Sequence, residues 1–365
     1  MPTSEIVTVG DYFLVGLRPG TTLDARDRAL LHDLQPAGVI LFKSNFLQDA
    51  PYQHWLESHA ALIRAVRAAV GRERLLIAID HEGGRVCRTP PPLTRFAPAA
   101  RWADRAGPVG AGMGRELASL GVNLNFAPVL DIHSNPANPV IGDRAFGGTA
   151  DTVIASSLAY LSALEQAGVR ACGKHFPGHG DTGTDSHVAM PVVELPLAAL
   201  EGRELRPFAA AITAGIGMVM TAHMLVRAID PDHPVTLSRA ATHDLLRLHL
   251  GFDGVIVSDD CGMHAMDGFL DEPDAIVPFF NAGNDMMMLC AHWTDTERVR
   301  GFAAALVRAL AQGHVNPHAM AQSRERIRRF LSRTAMHEVQ ALDPADFERH
   351  RQAGPLFAAA TVEVI

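Results

Sequence analysis

Eight short apolar runs punctuate the chain: FLVGL (13–17), GVILF (38–42), LLIAID (75–80), VNLNFAP (122–128), VRACGKHF (169–176), GMVMTAH (217–223), GVIVSDD (254–260) and DMMMLC (285–290). They are continuously apolar rather than alternating, which is how strands read when both faces of a parallel sheet are covered. Between them lie stretches such as YQHWLESHAALIRAVRAAV and PLAALEGRELRPFAAAITAG, whose apolar residues recur at helical spacing. Strands and helices in strict alternation predict a closed (β/α)8 TIM barrel in one domain, residues 1–334. A doubly wound open sheet is the alternative, but no G-x-G-x-x-G follows the first run, which removes the commonest reason to prefer it. Helical segments are predicted around 295–313 and 317–334. Residues 335–365 hold two helix-like parts, DPADFERHRQAG and PLFAAATVEV, and form a C-terminal extension that packs on the barrel or reaches a partner.

Composition narrows the function classes. The 365 residues carry 32 Lys+Arg against 40 Asp+Glu, a formal net charge of -8, with no long basic run. That excludes an electrostatic binder of nucleic acid or of a membrane surface. No apolar stretch reaches the roughly 18–20 residues a bilayer crossing needs, and the start, MPTSEIVTVGDYFLVGL, lacks the basic head of a secretory signal. The expectation is a cytoplasmic enzyme. Four cysteines, Cys87, Cys172, Cys261 and Cys290, show no C-x-x-C spacing, so neither a zinc knuckle nor a disulfide scaffold is indicated.

The polar clusters fall where the runs end, and a barrel builds its active site on the loops leaving the C-terminal strand ends. In GVIVSDD, adjacent strand residues face opposite sides, so only one of Asp259 and Asp260 can point into the barrel mouth. A carboxylate there, held by donors, is a ready nucleophile; the structural alternative has Ser258 and Asp260 capping a following helix. In AIDHEGGRVCR, Asp80 can accept from two vicinal hydroxyls while Arg85 and Arg88 add forked donors, or these groups form a structural Asp–Arg pair. NPANPVIGDRAF supplies Asp143 and Arg144 at the fourth exit. The fifth run leads into KHFPGHGDTGTDSH, with Lys174 and His175 at the strand end and Pro177, Gly178, Gly180 and Gly183 preventing a helix. Its histidines and aspartates resemble a zinc inventory, but no H-x-H or H-E-x-x-H accompanies them. Asp185 and His187, two apart, instead suit a proton-transfer dyad in which the carboxylate orients the imidazole.

AIDHEGGRV, KHFPGHGDTGTDSH and GVIVSDD, in this order, resemble the family 3 glycoside hydrolases, specifically the bacterial β-N-acetylhexosaminidase branch of peptidoglycan recycling. The resemblance runs from about Gly16 to Ala291. It implies a retaining mechanism with Asp259 as nucleophile and His187, backed by Asp185, as acid/base. It also implies that Asp80, Arg88, Arg144, Lys174 and His175 hold the sugar, with no metal and no organic cofactor. The implied substrate is a small saccharide or muropeptide ending in β-linked N-acetylglucosamine; a different family 3 sugar specificity and a metal-dependent hydrolase on the same barrel are the alternatives. The branch pattern leaves oligomeric state open. This chain departs from it at Cys87, where the branch has glutamine, at Cys261 and His264 beyond the two aspartates, and at Asn284, where the branch often has cysteine.

Overall fold

The computed structural model describes residues 5–183, 186, 189–290 and 295–357. The strands are β1 (Phe13–Gly16), β2 (Gly38–Leu41), β3 (Leu76–Ile79), β4 (Leu124–Asn125), β5 (Arg170–Ala171), β6 (Gly173–Phe176), β7 (Val192–Val193), β8 (Met218–Thr221), β9 (Leu225–Val226), β10 (Val255–Asp260) and β11 (Met286–Leu289). The helices are α1 (Ala25–Leu34), α2 (Tyr52–Val70), α3 (Ala106–Ser119), α4 (Ala150–Gln166), α5 (Leu197–Ala199), α6 (Leu205–Thr213), α7 (Ile276–Asn281), α8 (Thr296–Gln312), α9 (Pro317–Ser332) and α10 (Pro344–Arg351), with wide-turn helices at Leu200–Glu204 and Ala240–His249.

Nine strands form one parallel sheet in the order β5-β4-β3-β2-β1-β11-β10-β8-β6. β5 and β6 are consecutive in sequence, so the sheet's two edges meet and the barrel closes. The seam is irregular, because the bonds that close it join β6 to residues 128–130 past the end of β4: Leu130 N donates to Lys174 O at 2.6 Å, and Lys174 N to Pro128 O at 3.2 Å. Thus the run 169–176 is two short strands broken at Cys172, and the sheet is the (β/α)8 barrel with its fifth position split.

The run 122–128 contributes only Leu124–Asn125 to the ladder, for two local reasons. Pro128 has no N–H to give, and the side chains of Asn123 and Asn125 replace backbone partners. Asn125 Oδ1 accepts from His81 N at 2.9 Å while its Nδ2 donates to His81 O at 2.8 Å. Asn123 does the same for Ile77 N and Leu75 O at 2.8 and 3.0 Å. These amides extend the β3–β4 pairing past the strand ends.

The strands are apolar on both faces because one face fills the barrel and the other meets the helices; Val255, Ile256, Val257, Met286 and Met287 are wholly buried. α2 turns Trp55, Leu56, Leu62, Ile63, Val66 and Val70 inward and stops at Gly71, which takes the left-handed conformation (φ 70°). β7 and β9 form a separate parallel ladder, Val192 opposite Leu225, that ties the end of the loop after β6 to the loop after β8. No helix of the described residues is long and apolar enough to cross a membrane.

The described part of the extension, 335–357, lies against the barrel. Val339 bridges Leu120, α10 packs on α3, and residues 355–357 run extended beside Arg95–Ala97 rather than continuing as a helix. Residues 358–365 lie outside the described residues. The tie is polar at its centre: buried Glu116 accepts from Thr94 N at 2.7 Å, Thr94 Oγ1 at 2.6 Å and His350 Nδ1 at 2.9 Å. Glu116→Ala strands those buried donors and is expected to cost about 3 kcal/mol of stability, read as a lower midpoint in chaotrope unfolding. A loss under about 1 kcal/mol would mean that the extension is held by its apolar contacts instead.

Candidate active site

At the exits of the strands opens a cavity of about 330 Å³, a size suited to a small molecule. Its lining includes Asp80, Arg88, Arg144, Lys174, His175 and Asp259, so six of the eight expected site residues converge here from four different strand exits, those of β3, β4, β6 and β10. Asp185 and His187 lie outside the described residues. Their neighbour Ser186 does line the cavity, and its carbonyl accepts from Ala265 N at 3.1 Å. Larger cavities of about 370 and 550 Å³ open at the strand-entry end, away from the polar strand exits; there Asp253 pairs with Arg329, and Asp11 with Arg72 and Arg324.

β10 separates its two aspartates as strand alternation requires. Asp260 Oδ1 accepts from Gly262 N at 3.0 Å and Cys290 N at 2.9 Å, fastening β10 to β11. Ser258 Oγ accepts from Met288 N at 3.0 Å, so neither residue caps a helix. Asp259 faces the cavity. Burial pushes its pKa up, but His175, His223, the Asp260 N–H and Lys174 together outweigh burial, and the carboxyl titrates below its ordinary value. At neutral pH it is an anion with a free face, the state a nucleophile needs.

The cations are held by a carboxylate that the motif reading passed over. Glu82 receives Arg144 in a two-pronged contact, Nε and one terminal nitrogen each at 2.8 Å, and Lys174 Nζ at 2.6 Å. Lys174 Nζ also reaches Asp80 Oδ1 at 2.7 Å. Asp80 therefore pairs with the lysine and not with Arg85 or Arg88; Arg85 instead donates to Val140 O, and Arg88 lies over the Phe42 ring. Burial alone raises the pKa of Glu82, yet Arg144 and Lys174 pull it far below the carboxylate range. The result is a buried, fully charged cluster that presents donors and Asp80 oxygens to one wall, an arrangement suited to vicinal hydroxyls. Asp143, expected beside Arg144, is exposed and lines none of it.

The loop after β6 is anchored by the loop after β4. Asp131, wholly buried, accepts from the His175 ring and from the backbone of His175 and His179. Asn138 Nδ2 donates to His179 O at 2.8 Å, and Gly180 presses on Ile132 so closely that a Cβ would sit 1.6 Å from its carbonyl oxygen. Among the described residues no three of His, Cys, Asp and Glu stand together as a metal site.

The sequence departures fall at different depths. Cys261 is buried with its sulfur 3.2 Å from Ser258 Oγ, whereas His264 is exposed and pairs with Asp267 at 2.9 Å. Asn284 is buried two residues before β11, donating to Thr236 O and Phe279 O. Cys87 sits next to Arg88 with its sulfur 3.8 Å from His81 Nε2. Burial pushes the Cys87 thiol up, but His81, helped by Arg95 and Thr89, brings its pKa down to about 7. Thiolate forms as pH rises, so alkylation of Cys87 by iodoacetamide should reach half its maximal rate near pH 7, against about 8.5 for an ordinary thiol. Cys172, Cys261 and Cys290, all buried with thiols pushed up by burial, should stay unlabelled in the native protein. Peptide mapping across pH checks both statements; a Cys87 midpoint near 8.5 would contradict the His81 contact.

Residues 10–330 match the glycosyl hydrolase family 3 N-terminal domain. The beta-hexosaminidase A of Pseudoalteromonas piscicida is 36% identical over 331 residues, 84% of this chain and 55% of that protein, so the chain spans about half the length of that relative. The beta-hexosaminidase of Chromobacterium violaceum is 36% identical over 359 residues, covering 94% of this chain and 91% of its own. Among solved structures, a glycoside hydrolase family 3 beta-N-acetylglucosaminidase from Paenibacillus sp. str. FPU-7 superposes with a TM-score of 0.84 at 32% identity, over 97% of this chain and 68% of that one.

Proposed function

Because the chain belongs to glycosyl hydrolase family 3, we propose that it is a retaining exo-β-N-acetylglucosaminidase acting on the terminal β-linked N-acetylglucosamine of a muropeptide or similar saccharide. The observation that carries this reading is the convergence of ionised Asp259 with the Asp80–Lys174–Glu82–Arg144 cluster in one cavity at the strand exits.

The steps follow from the residues. Asp80, Arg88, Arg144, Lys174 and His175 hold the sugar. Asp259 attacks the anomeric carbon, the bond to the glycosidic oxygen breaks, and that oxygen takes a proton from His187, oriented by Asp185. A glycosyl ester on Asp259 results. Water then gives its proton back to His187 and attacks the same carbon, releasing the sugar with its configuration retained. Two displacements by way of one carboxylate give retention, and one imidazole serves as acid and then as base. No metal or organic cofactor has a place in this scheme. The relatives' names support hexosaminidase activity; action in the cytoplasm on wall fragments rests on the motif resemblance.

The test is nitrophenol release from the aryl β-N-acetylglucosaminide and the aryl β-glucoside side by side, with and without chelator. Chelator-resistant cleavage confined to the acetamido sugar is expected; zinc-restored activity or preference for the glucoside would overturn the reading. His187→Ala should slow substrates with poor leaving groups about 10²–10⁴-fold, the range of general acid catalysis, and activated aryl glycosides much less. Equal losses on both would assign His187 to binding.

A further inference from the structure

Asp131 stands at the exit of β4, is not among the motif residues, and makes its contacts across the seam where the barrel closes. Its Oδ2 takes the His175 ring at Nδ1, 2.6 Å away, and its Oδ1 takes His179 N at 2.6 Å; His175 N lies 3.1 Å from Oδ1 and 3.2 Å from Oδ2. Burial favours protonation of this carboxyl, but His175, His179 and the His179 N–H outweigh burial and hold its pKa below the ordinary value. An ionised carboxylate only accepts hydrogen bonds. His175 Nδ1 therefore carries a proton and donates it, and Nε2, which has no partner among the described residues, is the nitrogen left to the cavity that His175 lines.

We propose that Asp131 is a positioning residue: it fixes the tautomer and ring angle of His175, so that Nε2 alone is presented to the sugar beside Asp259, and it does so independently of its hold on the loop root. The geometry separates the two tasks by oxygen. Oδ2 makes the short bond to the ring, while Oδ1 takes His179 N and the shorter of the two bonds from His175 N. The arrangement places a carboxylate from the β4 exit, an imidazole from β6 and the proposed nucleophile from β10 in one line of influence across three walls of the barrel. This rests on the reading of His175 as a sugar contact.

Asp131→Asn tests it. An asparagine with its oxygen at the Oδ1 position still accepts both backbone N–H groups, but its NH2 then meets Nδ1. That forces Nδ1 to accept and moves the ring proton to Nε2, the wrong-tautomer effect of such a replacement. The readout is the long-range proton–nitrogen spectrum of protein labelled with imidazole-¹⁵N histidine, with the His175 signals identified by their loss in His175→Gln. Wild type should show Nδ1–H and the variant Nε2–H, with kcat/KM on the aryl acetamido sugar reduced about 100-fold, the scale of a mispositioned contact, and little change in Tm. An unchanged tautomer, or a reversed one with kcat/KM within twofold of wild type, overturns the proposal. If the variant does not fold, the wild-type spectrum decides alone, because a proton on Nε2 and none on Nδ1 contradicts the assignment. The spectrum needs no substrate, so failure of the proposed function, seen as a wild type inactive on acetamido sugars, is distinguishable from failure of this role.

Discussion

Asp259→Ala is expected to reduce turnover by on the order of 10⁴-fold or more, the scale at which removing a covalent nucleophile leaves only binding and polarisation. The residue lies at the end of β10, faces the cavity, and has its carboxyl held below the ordinary range by the groups around it. Its neighbour Asp260 offers the internal control. Asp260 Oδ1 accepts from the backbone N–H groups of Gly262 and Cys290 at the β10 and β11 exits, so Asp260→Ala should lower stability, and activity only as far as the mouth distorts. Steady-state kinetics on an activated aryl glycoside, with circular dichroism and Tm for each variant, separate the two. Asp259→Ala should keep its fold and still bind sugar. Turnover within tenfold of wild type in a clean Asp259→Ala preparation would remove Asp259 from the mechanism.

Glu82→Ala should be the most damaging change among the groups that do not react. The side chains of Glu82, Lys174 and Arg144 are 4%, 3% and 11% exposed, and one carboxylate serves both cations. Its removal leaves Lys174 with Asp80, and leaves Arg144 with the Val140 carbonyl. Breaking a buried ion pair by deleting one partner costs about 3–5 kcal/mol, because a desolvated charge loses its counter-charge. The displaced cations would also lose their aim at the sugar, which costs about 10²-fold in kcat/KM for a shift near 1 Å. Glu82→Gln keeps the shape and one acceptor oxygen, so it should fall between the alanine variant and wild type in both measures. Chaotrope unfolding and kcat/KM, measured on both variants, check this; a Glu82→Ala protein as stable as wild type would mean that water enters and screens the cluster.

Much of the barrel was legible because burial on both faces writes itself as continuous apolar runs, and each such run became a strand or, at 169–176, a pair of strands. The strand ends were less legible, since they depend on distant partners: β4 is short in part because the amides of its own Asn123 and Asn125 take over the pairing, and the groups they meet, Ile77 N and His81 N, lie 46 and 44 positions away. The site shows the same division. Asp80, Arg88, Arg144, Lys174, His175 and Asp259 stand in local motifs and meet in the cavity. Glu82 and Asp131 were missed because what they do is visible only across the barrel, where Glu82 meets Arg144 62 positions away and Asp131 meets His175 44 positions away. A signal for Glu82 was present: it lies two residues from Asp80 just past a strand, where alternation favours the same side, and both carboxylates reach Lys174 Nζ. His264 shows the converse, since nearness in sequence to Asp259 did not bring it into the cavity.

The central claim is that Asp259 forms a covalent bond to an acetamido sugar. Its most direct test is mass spectrometry of the protein after brief exposure to a 5-fluoro-β-N-acetylglucosaminyl fluoride. The ring fluorine slows both displacements by opposing positive charge on the sugar, while the fluoride leaving group keeps the first fast enough to trap the ester. The account predicts one added fluorosugar, located by peptide mapping on Asp259 and absent from Asp259→Ala. Labelling at another carboxylate, or turnover of the ordinary aryl glycoside with inversion and no adduct, would contradict it.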